Sequence, residues 1–102
     1  MKVLFICNQN QNRSKTAEEI FKGTFTTRSA GLYNERPVTE NEIAWADLIV
    51  VMDDAQRAEL AKRFPNHYLL KRIVSLDVPD VFRYQQPELV ELLKTRVEEV
   101  LL

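Results

Sequence analysis

The stretch VLFICNQNQNRSKTAEEIF, Val3 to Phe21, decides how this chain is read. Val3-Leu4-Phe5-Ile6 is a continuous apolar run, as a strand covered on both faces requires. From Arg13 to about Lys22, Ala17, Ile20 and Phe21 recur at helical spacing, so a helix follows the strand. Between the two lies the lone cysteine, Cys7, and then Asn8, Gln9, Asn10, Gln11 and Asn12, with no glycine among them. A phosphoryl group is held by inward-pointing backbone N–H groups at the positive end of a helix, and a strand-to-helix turn supplies both. Cys7 would then sit at the base of the cradle, where the N–H groups, the dipole and Arg13 favour the anionic sulfur and Ser14 can donate to it. Arg13 can fold back to hold two phosphate oxygens bidentately, which a lysine does less well. The competing reading, Cys7 as a small buried hydrophobe at a strand end, leaves Arg13 and the turn without a purpose.

Outward from this stretch the same alternation repeats. Thr24 to Ser29 alternates weakly, as an edge strand does, and Thr39 with Glu42 forms a capping box for a short helix through Trp45. Leu48 to Met52 is the most apolar strand. Asp53 or Asp54 can cap a helix running to Phe64 and closed by Pro65. Arg72 to Leu76 is a fourth strand, and Pro87 starts a last helix with Leu89, Leu93, Val97 and Val100 on one face. The expected fold is a single-domain three-layer α/β/α unit with a four-stranded parallel sheet in the order 2-1-3-4 and the phosphate loop after strand 1. In such sheets ligands bind beyond the carboxyl ends of the strands.

Composition excludes other classes. A chain of 102 residues fits one small core, and 14 Lys+Arg against 15 Asp+Glu give a net charge of −1, which draws the protein to neither nucleic acid nor anionic lipid. One cysteine makes no intrachain disulfide, and the apolar run after Lys2 is too short for a leader or a span, so a cytoplasmic protein is expected. A helix-turn-helix around Thr39 to Phe64 is argued against by the apolar Leu48–Met52 run between its helices. His67, the only histidine, has no partner at ligand spacing and reads as a solvated loop residue; no metal and no cofactor are expected. Trp45 reads as a plug of the core, and Phe82, Tyr84 and Tyr33 as aromatics available to flank a phosphoaryl ring.

The sequence resembles the low-molecular-weight protein tyrosine phosphatases. The resemblance rests on Val3 to Phe21, which looks like that family's strand, C-x5-R-S loop and first helix, and continues in Ser29-Ala30-Gly31, in ADLIVVMD at Ala46 to Asp53 and in VPDVF at Val78 to Phe82. It implies that residues 1–102 form one such phosphatase-like domain. It also implies Cys7 as nucleophile, Arg13 as transition-state clamp, Ser14 as thiolate stabiliser, Asn10 as the amide that orders the loop, and Asp80 as general acid. The residues between, Asn8, Gln9, Gln11 and Asn12, would contribute the rest of the phosphate cradle. Asp77 shares the segment of Asp80 and could instead orient Arg13 or a loop amide; both aspartates also read as turn residues beside Pro79. The chain departs from the family at Gln9, where glycine is usual, at Asn12, where a second cysteine is usual, and at Lys15, where proline is usual. The family's D-P-Y is here Asp80-Val81-Phe82. Asparagine tolerates positive φ better than other non-glycine residues, so Asn8, Asn10 and Asn12 are expected to make the turns that glycine makes elsewhere, leaving Gln9 as the awkward position.

The expected activity is hydrolysis of phosphotyrosine or a similar aryl phosphomonoester through a phosphocysteine, on a phosphorylated protein or a small aryl phosphate, by a monomer or weak dimer. Two alternatives share the fold: a non-catalytic phosphate or phosphopeptide binder, and an arsenate-reductase-like protein that borrows an external thiol because it lacks further cysteines.

Overall fold

In a computed structural model, which describes residues 1–101, the apolar run becomes β1 (Lys2–Cys7), buried from Val3 onward. It is flanked by β2 (Thr26–Gly31) and β3 (Leu48–Val51), with β4 (Arg72–Ser75) beyond β3, so the sheet order is β2-β1-β3-β4. Every pairing is parallel, as the alternating pattern requires. The crossovers are made by α1 (Arg13–Ile20), α2 (Glu40–Trp45), α3 (Asp54–Arg63) and α4 (Pro65–Leu70), and α5 (Pro87–Leu101) follows β4.

The strand period of two sorts the core into two layers. Val3, Phe5 and Cys7 of β1 and Leu48 and Val50 of β3 point to one face, where Ala17 of α1 and Leu89, Leu93 and Val97 of α5 cover them. Leu4 and Ile6 with Ile49 and Val51 point to the other, under Ile43 of α2 and Leu60 of α3. Phe5 and Phe21 stack at 5.8 Å between ring centroids, fixing the exit of α1 against the strand it left. Truncating Leu4, Phe5 or Ile6 to alanine removes about 2–5 kcal/mol of stability.

Two expectations about the helices need correction. The expected helix to Phe64 does end there, but Pro65 opens a further helix, so His67 lies on α4 and not in a loop. Proline breaks a helix it would sit inside yet suits the first turn of the next, because its missing N–H is one the first turn does not use. His67 reaches across to α2, with Nε2 3.1 Å from Glu40 Oε1. Trp45 is half-buried at the rim of its layer and not a core plug; the Arg28 guanidinium lies 4.3 Å over its ring, which lets the indole stop short of full burial. No helix among the described residues is long and apolar enough to cross a membrane.

Candidate active site

The carboxyl end of β1 is central in the sheet, and it delivers Cys7 into a turn whose next regular residue is Arg13, the first of α1. Cys7 is 3% exposed, with Sγ 2.9 Å from Ser14 Oγ. The Ser14 hydroxyl also lies 2.9 Å from Asn10 Oδ1, to which it can donate. A hydroxyl has one proton, so it serves either the amide oxygen or the sulfur, and an ionised Cys7 would take it. Asn10 has φ 54°, the left-handed conformation that allows its side chain to turn back under the loop. Asn8, Gln9 and Asn12 keep negative φ, so of the three asparagines expected to replace glycine only Asn10 does so, and Gln9 is not strained.

Cys7, Asn8, Gln9, Gln11, Asn12, Arg13 and Asp80 line a pocket of about 50 Å³. That volume admits a group of a few heavy atoms and excludes an aromatic ring. The N-cap residue of α1, Asn12, makes no side-chain cap bond, so the helix's first N–H groups are left for whatever enters.

Arg13 is 1% exposed, and its charge is held from the sheet side. Nη1 donates to the Val78 carbonyl at 2.8 Å and to Asp53 Oδ2 at 3.4 Å. Nε has no hydrogen-bond partner among the described residues, and Asp80 Oδ1 stands 3.7 Å from it. A buried guanidinium with an unused donor beside a pocket is primed for an anion. Asp80 is 58% exposed at the pocket mouth, where it can meet a leaving group. Asp77, with φ 56°, is exposed in the irregular segment after β4 and outside the pocket lining, and Asp53 is the carboxylate that hydrogen-bonds Arg13.

None of the three aromatics expected near the cleft is in the pocket lining, and Tyr33 lies instead under the Arg63 guanidinium, with its ring centroid 5.1 Å away. Phe82 turns inward and packs on the layer under α1 and α5, because an exposed phenyl gains most by covering apolar surface. Tyr84 is exposed and lines a separate shallow depression with Val81. Sequence reading also missed the second duty of Asp53, which it accounted for as a helix cap, and missed Gln56 altogether; their further contacts cross 40 and 48 residues. Gly31, opposite Cys7 in the register, has its Cα so near Asn34 Oδ1 and the Asn8 carbonyl that a Cβ would lie 2.5 and 3.0 Å from them.

The fold is that of the low-molecular-weight protein tyrosine phosphatases. The phosphatase of that name from T. tengcongensis is similar over 98% of this chain and 99% of its own, with a TM-score of 0.73 at 18% identity. The tyrosine phosphatase Wzb from Escherichia coli K30, solved in complex with phosphate, is similar over 96% of this chain and 94% of its own, with a TM-score of 0.77 at 17% identity. The YwlE arginine phosphatase from Geobacillus stearothermophilus is similar over 98% of this chain and 92% of its own, with a TM-score of 0.74 at 17% identity. No protein-family model matches the sequence. No curated protein matches it either.

Proposed function

We propose that the protein is a phosphomonoester hydrolase working through a phosphocysteine. The observation that carries this reading is the convergence of Cys7 Sγ, the unused Arg13 Nε and the Asp80 carboxyl on one anion-sized pocket. The Cys7 thiolate attacks phosphorus in line, and the bond from phosphorus to the leaving oxygen breaks as Asp80 gives that oxygen its proton. Arg13 and the N–H groups of residues 8 to 14 take up the charge on the three equatorial oxygens. Water then attacks the phosphocysteine, with Asp80 accepting its proton, and phosphate leaves. Ser14 turns its hydroxyl proton from Asn10 Oδ1 to the sulfur as the sulfur departs.

The pocket admits the phosphoryl group alone, so the organic part of the substrate stays outside. Phosphotyrosine or a similar aryl phosphate on a protein or a small molecule is the substrate class this arrangement suits, the phenol needing least help to leave. The test is hydrolysis of p-nitrophenyl phosphate by wild type, Cys7→Ser, Arg13→Ala and Asp80→Asn, with phosphotyrosine and phosphoarginine as competing substrates. Cys7→Ser and Arg13→Ala are expected to lose about 10³-fold or more in kcat, as loss of a nucleophile or an oxyanion donor does. Asp80→Asn is expected to slow phenyl phosphates with poor leaving groups most. Full activity in Cys7→Ser overturns the assignment, and preference for phosphoarginine reassigns the substrate while leaving the chemistry in place.

A further inference from the structure

We infer that Gln56 is a positioning residue for the phosphate loop, acting through Asn8. The inference rests on the reading of residues 7 to 13 as a phosphate loop. Gln56 is 2% exposed at the start of α3, a turn beyond the end of β3. Its Oε1 accepts from the backbone N–H of Met52 at 2.7 Å and of Asp53 at 3.3 Å, and its own N–H donates to Asp53 Oδ1 at 3.0 Å. That is a complete capping box, and it asks of position 56 only an acceptor. Glutamate would serve it as well as glutamine.

The amide nitrogen is therefore surplus to the cap, and it is used elsewhere: Nε2 donates to Asn8 Oδ1 at 3.1 Å. Asn8 is the residue after Cys7, and its carbonyl accepts from Leu32 N–H at 3.0 Å and Tyr33 N–H at 2.8 Å. Asn8 is thus gripped on the β2 side through its backbone and on the β3 side through its side chain. With no glycine in the loop, this grip sets where residue 8 presents its N–H and, one residue earlier, where Sγ sits. Since Asp53 also holds Arg13, the corner between β3 and α3 fixes both ends of the cradle from one place.

The experiment measures the dissociation constant of inorganic phosphate, from its protection of Cys7 against iodoacetamide, in wild type, Gln56→Glu, Asn8→Ala and the double variant. Gln56→Glu keeps the cap acceptor and sets a carboxylate against Asn8 Oδ1. It is expected to weaken phosphate about tenfold, the loss of one buried hydrogen bond and its satisfied acceptor, and to lower Tm by about 4–8 °C without unfolding the protein. Asn8→Ala, at a partly exposed site, reads the same link from its other end and is expected to weaken phosphate about fivefold. In the Asn8→Ala background Gln56→Glu is expected to change the constant less than about twofold, because the link is already gone. Unchanged phosphate binding in Gln56→Glu overturns the inference, as does an equal loss with and without the Asn8 side chain, which would assign the effect to the added charge. Failure of phosphate to protect wild type would instead overturn the phosphate-loop reading and this inference with it.

Discussion

Two strand-to-helix corners lie side by side at the carboxyl edge of the sheet, and they end in opposite ways. At the β3–α3 corner, Asp53 and Gln56 close the helix N-terminus with a reciprocal capping box, and α2 is closed likewise by Thr39 and Glu42. At the β1–α1 corner, Asn12 offers no cap, a cysteine sits at the base, and the helix's first residue is a buried arginine. Both corners have the same backbone plan, so the plan alone does not make a site. What differs is whether the chain satisfies its own orphan N–H groups or leaves them for a ligand. The closed corner is not idle, however: its Asp53 and Gln56 each send a second bond to the open one.

Substitutions can break this contrast. The largest effect is expected at the open corner from Arg13→Lys, which keeps the charge and loses the planar fork: about 10²-fold or more in kcat for p-nitrophenyl phosphate, measured by steady-state kinetics. Next comes the shared residue. Asp53→Asn keeps a good N-cap and removes the negative partner of Arg13, so turnover is expected to fall about tenfold while Tm stays close to wild type. Asp53→Ala should match that loss in turnover and add about 1 kcal/mol of destabilisation in urea unfolding. Equal activity in Asp53→Asn and wild type would show that the Asp53 link does not couple the two corners. The smallest catalytic effect is expected from Thr39→Ala, which opens the α2 cap outside the pocket lining: about 1 kcal/mol of stability lost and kcat unchanged.

The sheet was legible because Val3–Ile6 and Leu48–Met52 are apolar without interruption, and only the middle of a parallel sheet asks for that. The Thr39–Glu42 capping box was legible since it is local, three residues from end to end, whereas at α3 only the cap itself, Asp53 or Asp54, could be read and not its partner Gln56. The open corner was legible from Cys7, Arg13 and Ser14 falling in the first turn after a buried strand. What sequence could not reveal lies across the fold. Asp53 was already explained as a helix cap and Gln56 carried no signal of its own, so nothing in the pattern asked for partners 40 and 48 residues away. Phe82 had two homes, cleft and core, and only packing chooses between them. Pro65 was read as a stop when it is also a start.

The loop without glycine has a consequence for the chain before it folds. Glycine roams more of backbone space than any other residue, so each one in a loop enlarges the disordered ensemble that must be narrowed, by about 0.4–1 kcal/mol relative to a residue with a side chain. Five amide residues in its place leave the unfolded segment less to lose. Against this stands the left-handed turn at Asn10, which opposes folding by about 1 kcal/mol and is offset by its bond to Ser14. The balance favours a cradle already shaped when empty, so an anion arriving there would meet a finished surface and its binding would carry little ordering entropy.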